Sequence, residues 1–108
     1  MKRGDVVTIA LQGDLGKPRP AVVVQADLFN ESHPSSVVLP ITSVVEPAPL
    51  IRITIEPSMG NGLRTASQVM IDKPTTIWRD RIGKVIGRLE DDVMLRIGRA
   101  MIVWLGLA

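Results

Sequence analysis

Short β-branched runs, each cut off by glycine, proline or charge within a few residues, govern the first three quarters of this chain. Val6 to Leu11 (VVTIAL) lies between Gly4-Asp5 and Gly13-Asp14. A run of that length suits a pleated, buried surface and is too short for a core helix, so it reads as a strand. The segment GDLGKPRP that follows is dense in glycine and proline, which break regular structure, and must be a loop. Ala21 to Gln25 (AVVVQ) is a second strand, placed after Pro20 to form a hairpin with the first. Residues 27–36 (DLFNESHPSS) are rich in turn formers. Ser36 to Ile41 (SVVLPI) is a third strand, in which Pro40 implies an edge position, a bulge or a strand end, because proline donates no ladder hydrogen bond. Leu50 to Ile55 alternates, with Arg52 and Thr54 opposite Ile51, Ile53 and Ile55. Pro57 to Gly62 turns the chain, and Thr65 to Ile71 resumes extended structure.

The pattern changes after Pro74. TTIWRDR is compatible with one or two helical turns, and KVIGRL with a short returning strand. From Glu90 the period becomes helical: Val93, Ile97, Ala100, Met101 and Trp104 form one apolar stripe. Glu90, Asp91 and Asp92 stand where the helix macrodipole favours negative charge, and Gly106 is a natural stop. The expectation is a mainly β chain of about five to seven short strands with a C-terminal α-helix, forming one domain over residues 1–108. The architecture that fits is a small half-open β-barrel with the helix packed on it.

Composition narrows the chemistry. The chain has 108 residues and no cysteine, which removes disulfides, thiolate metal sites and cysteine nucleophiles, and suits a reducing, cytoplasmic location. The N-terminus does not read as a signal peptide, since Asp5 interrupts its apolar run. No stretch reaches the roughly 18 apolar residues of a membrane span. Net charge is +2, and the excess lies wholly after residue 54, because residues 1–54 carry five basic and five acidic side chains. Nine of the 13 basic residues are arginine, the side chain suited to bidentate phosphate contact. With three aromatic residues (Phe29, Trp78, Trp104) a broad stacking platform for single strands is not expected.

Metal, triad and nucleotide chemistry find no support. His33 is the only histidine and sits in a polar turn beside Pro34, where solvated turn polarity is the simpler account. Carboxylates show no ligand spacing, there is no G-x-S-x-G elbow, and GDLGK lacks the P-loop spacing. No metal or cofactor is expected. What remains is a set of polar groups at strand ends: Asp14, Lys17 and Arg19 in the first loop, and Thr42-Ser43 after the third strand. Taken alone, these read as a solvated hairpin and an ordinary strand end.

RGDVV at Arg3 to Val7, KPRPAVVVQ at Lys17 to Gln25, LPITS at Leu39 to Ser43 and SQVMIDKPTTI at Ser67 to Ile77 come in the order found in the MazF/PemK family, which the chain resembles along nearly its whole length. Members are toxin endoribonucleases of toxin–antitoxin pairs. The resemblance implies a small SH3-like half-open β-barrel of the CcdB/MazF type, a homodimer, a cognate antitoxin as partner, and metal-independent cleavage of single-stranded RNA. It also implies the reaction, in which the ribose 2′-hydroxyl attacks the adjacent phosphate to leave a cyclic phosphate and a 5′-hydroxyl. The family's arginine maps to Arg19 and its threonine to Thr42. Its first-loop glutamate-glutamine pair corresponds here to Asp14-Leu15, so Asp14 is the candidate base or arginine anchor with a shorter reach, and Leu15 cannot replace the glutamine.

Ser43, Gln68 and Asp72 stand where related proteins contact RNA, and ordinary strand polarity accounts for them equally well. Lys17 and Arg79 are candidate phosphate contacts whose simpler reading is solvated surface charge. Trp104, on the helical stripe, reads as core or dimer interface. Two alternatives remain: a CcdB-like DNA gyrase inhibitor, loosely suggested by the WLGLA ending, and a catalytically degenerate member that binds antitoxin or RNA.

Overall fold

The computed structural model describes residues 1–11 and 17–108, and these form a seven-stranded antiparallel sheet with a C-terminal helix. The strands are β1 (Asp5–Ile9), β2 (Arg19–Val23), β3 (Ser35–Thr42), β4 (Arg52–Ile55), β5 (Ser67–Met70), β6 (Thr75–Trp78) and β7 (Ile82–Arg88). Their order is β4-β5-β3-β2-β1-β7, with β6 pairing separately with β3. The helices are a single turn, α1 (Asp27–Asn30), and the terminal α2 (Asp91–Leu105). The mainly β class with a terminal helix is therefore as expected.

Central strands β1, β2 and β3 are buried on both faces, which is why they read as unbroken β-branched runs. Alternate residues enter two separate cores. Val6, Val22, Val24, Leu39 and Ile41 join β4, β5 and α2 residues in the larger cluster, while Val7, Ile9, Ala21, Val23, Val38 and Ile77 form the smaller one. Helix α2 closes the larger core with Met94 and Ile97, supported by half-buried Val93, Ala100 and Met101. Its last turn ends in a glycine-capped motif. Gly106 takes φ +69°, its N–H bonds the carbonyls of Ile102 and Val103, and Leu107 N–H bonds the Ile102 carbonyl at 2.9 Å.

Three local expectations are corrected. Thr75–Trp78 is a strand, not a helical turn, because it pairs with Ser35–Val38 of β3; only Arg79–Arg81 curls, into one 3-10 turn. Pro40 is neither on an edge strand nor at a strand end. It lies inside β3 in the gap where pairing to β6 stops at Val38 and pairing to β5 starts at Ile41, so its missing N–H breaks no ladder there. The turn-rich segment after β2 holds α1, whose Asp27 carboxylate accepts from Arg3 N–H at 2.7 Å and from the Asn30 amide at 3.1 Å. Those two bonds, the backbone one foremost, hold the Asp27 carboxyl below its ordinary value of 3.8. The lowered value means that this tie persists at neutral pH and is lost only as pH falls through it.

The Ile97→Ala variant should lose about 2–5 kcal/mol of unfolding free energy in urea titration, since Ile97 is fully buried on the core face of α2. Leu28→Ala, in the α1 turn and 81% exposed, should change it by no more than about 0.5 kcal/mol.

Candidate active site

Strand pairing alone brings two of the expected residues together. β2 and β3 pair as far as Ala21 opposite Pro40, and both strands continue from that pair in the same direction, to Arg19 on one and Thr42 on the other. Arg19 also lies opposite Ile9, the last residue of β1. The ends of three core strands therefore meet at one mouth, and two of them, at Arg19 and Thr42, are polar.

That mouth opens into a cleft of about 670 Å³. Pro18, Pro20, Pro40, Leu63, Met70 and Ile86 supply its apolar walls. Arg19, Thr42, Ser43, Arg64, Thr65 and Thr8 supply polar groups. Among the described residues that line it there are two cations, Arg19 and Arg64, and no carboxylate, so the cleft suits an anionic chain. Thr42 Oγ accepts from Val44 N–H at 3.1 Å. An oxygen already accepting in this way keeps its own hydrogen available to donate into the cleft.

The remaining expected residues separate. Lys17 is exposed next to Pro18 and outside the lining. Gln68 is 3% exposed and its amide is fully engaged. Its Nε2 donates to the Glu46 carbonyl at 2.9 Å and to Thr54 Oγ at 3.1 Å, and its Oε1 accepts from Glu46 N–H at 3.0 Å. Gln68 thus ties the loop after β3 to the sheet instead of presenting a free amide to a ligand. Asp72 sits away from the cleft, 3.8 Å from Arg52 and 3.6 Å from Lys73. Arg79 lies in the 3-10 turn beside Pro34 and Trp78, in a different hollow. Asp14 lies outside the described residues. His33 acts as a turn residue, its Nδ1 accepting from Ser35 N–H at 3.3 Å.

Sequence reasoning missed Arg64 and Thr65. The available signal was a basic residue two positions after the Asn61-Gly62 turn, but only the docking of that turn against β7 places it in the cleft. Thr8 was hidden in the first strand run; its hydroxyl accepts from Lys84 N–H at 3.0 Å.

Residues 2–105 match the family described as PemK-like, MazF-like toxins of type II toxin–antitoxin systems. The chain belongs to this family. A probable endoribonuclease MazF of Mycolicibacterium smegmatis is 45% identical over 100% of this chain and 99% of its own length. Endoribonuclease EndoA of Bacillus subtilis is 28% identical over 99% of this chain and 96% of its own. Among solved structures, a mycobacterial endoribonuclease in complex with its cognate antitoxin superposes with a TM-score of 0.84 at 23% identity, covering 100% of this chain and 97% of that one. A MazE–MazF complex of Deinococcus radiodurans gives 0.83 at 20% identity, covering 100% and 97%. The MazF-like fold implied by the resemblance is thus the observed one. No helix among the described residues of this MazF-like chain is long and apolar enough to cross a membrane.

Replacing Gln68 by Ala removes both anchors of Glu46 and orphans buried backbone groups. The expected result is a loss of about 1–3 kcal/mol of stability, with faster amide hydrogen exchange at Glu46 than at β1.

Proposed function

We propose that this MazF-like protein is a toxin endoribonuclease that cleaves single-stranded RNA at a short sequence without a metal ion and is held in check by a cognate antitoxin. The observation that carries this reading is the convergence of Arg19 and Thr42 at the mouth of one cleft free of carboxylates among its described lining. Full-length similarity to the two endoribonuclease relatives supports it.

In the proposed reaction the ribose 2′-hydroxyl oxygen bonds to the adjacent phosphorus and the bond from phosphorus to the 5′ oxygen breaks. A base takes the 2′ proton, and the departing 5′ oxygen takes up a proton. The products are a cyclic phosphate and a 5′-hydroxyl end. The Arg19 guanidinium grips non-bridging oxygens of the phosphate and offsets the charge that builds on them. Thr42 donates one further hydrogen bond at the same centre. Asp14 is assigned as base or as anchor for Arg19. DNA lacks the nucleophile and is not cut.

The protein acts as a homodimer in this proposal. Helix α2 leaves Leu95, Ile102, Val103, Trp104 and Leu105, with Leu107 just beyond it, between 41% and 74% exposed, more apolar surface on one small element and its end than a monomer ordinarily carries. The antitoxin would lay an acidic or apolar segment across the cleft and exclude RNA.

Incubation with a long RNA in excess EDTA should give discrete fragments with 5′-hydroxyl ends. Arg19→Ala and Thr42→Ala, with unchanged circular dichroism, should each slow cleavage about 10²–10³-fold. Intact RNA after long incubation would sink the ribonuclease reading and favour a binding-only member. Separately, Ile102→Glu should shift the sedimentation of the protein from dimer to monomer at micromolar concentration; an unchanged dimer would place the interface elsewhere.

A further inference from the structure

The loop between β4 and β5 is held with unusual firmness for an exposed segment. Asn61, 5% exposed, donates from its amide to the Glu56 carbonyl at 2.8 Å. Its Oδ1 accepts from Ser58 N–H and from Leu63 N–H, both at 3.0 Å. Arg88 N–H on β7 bonds the Gly60 carbonyl at 2.8 Å. Gly62, at φ +69°, lies so close to the Ile86 carbonyl that a Cβ would collide with it, and a Cβ on Gly87 would collide with Asn61 backbone. Two elements are thus pressed backbone to backbone, and the chain leaves this clamp directly into Leu63, Arg64 and Thr65 at the cleft rim.

Arg64 is the second cation of the cleft, carried on a different wall from Arg19. The protein's other cations are engaged or elsewhere. Arg52 pairs with Asp72 and Arg88 with Asp5, while Arg3 and Arg99 line the α2 groove. Arg64 itself forms no ion pair among the described residues. A surface arginine ordinarily loses side-chain freedom when it grips a ligand, and a fixed backbone beneath it reduces what else must be ordered.

We propose that Arg64 is a backbone-binding residue for RNA, gripping the phosphate next to the one that Arg19 and Thr42 engage, and that the Asn61 clip positions it. This rests on the ribonuclease reading of the same cleft. Arg64 positions substrate and takes no part in bond breaking, so its loss should appear in KM and not in kcat.

The test compares wild type, Arg64→Ala and Arg64→Lys in two assays. In steady-state cleavage of a short RNA, Arg64→Ala should raise KM about tenfold with kcat within about twofold, and Arg64→Lys should recover part of the loss. In binding of a 2′-O-methyl RNA, which lacks the nucleophile, Arg64→Ala should lower the slope of log K against log salt by about 0.7, the value for one phosphate contact on a single strand. Asn61→Ala should also raise KM, and should add nothing in the Arg64→Ala background. An Arg64→Ala enzyme that cleaves with unchanged KM and salt slope overturns the proposal, as does a fall confined to kcat. Absence of cleavage by wild type would instead defeat the ribonuclease reading, with the salt slope still reporting whether Arg64 meets a phosphate.

Discussion

Two-sided burial of β1, β2 and β3 is the constraint on which the rest of the molecule depends. Each of these strands sends alternate side chains into two different cores, so a one-residue slip would exchange the contents of both. Burying a valine or leucine stabilises by about 1.5–3 kcal/mol, and the slip would disturb many of them at once. The register is therefore fixed far more strongly than a one-sided sheet would fix it. Polar side chains are few in these strands except at the strand ends, and those inside, like Ser36 with Asn30 and Thr8 with Lys84 N–H, are hydrogen-bonded. Arg19 at the start of β2 and Thr42 at the end of β3 occupy such ends, and the rigid register determines that they face the same mouth. The candidate site needs no loop to bring its two principal groups together.

The same two-sidedness explains what could be read from the sequence. VVTI, AVVV and VVL announce buried strands because nearly every position is apolar and most are β-branched, and α2 announces itself by its period. The resemblance of KPRP and LPITS then pointed to Arg19 and Thr42, which the pairing of β2 with β3 brings to one end. TTIW was misread because its local preference is weak, and only pairing with Ser35–Val38, far away in sequence, makes it a strand. Pro40 was misread for a related reason. Proline restricts a strand only where its N–H would be needed, and which residues need theirs depends on the change of partner from β6 to β5.

Gln68 and Arg64 show where residue type fails as a guide to role. Both are polar and both flank the cleft in sequence, yet they behave in opposite ways. Gln68 faces a loop whose backbone needs partners, and every polar atom of its amide finds one. Arg64 follows a turn whose backbone needs are already met by Asn61, so its side chain is left to the cleft. The distinction lies in the hydrogen-bond accounts of neighbouring loops, which a list of residue types does not contain.

Both residues nonetheless act on the same cleft, from opposite sides. Gln68 fixes Glu46 and with it the loop that carries Ser43 and Val44, one lip of the opening. The Asn61 clip and the glycine contact with β7 fix the other lip at Leu63 to Thr65. Pro18, Pro20 and Pro40 contribute to the apolar lining, and their rings restrict the backbone still further. Hydrogen bonds thus tie both of these lips down: Gln68 holds the Glu46 backbone, and the β7 backbone at Arg88 holds the Gly60 carbonyl. An RNA strand bound there as proposed would be ordered against these lips, and the ordering cost would then fall mainly on the RNA. Under the ribonuclease function proposed above, discrimination among RNA sequences would follow from that asymmetry: bases that let the backbone take the required path would bind, and a fixed lip would give the others no compensating adjustment.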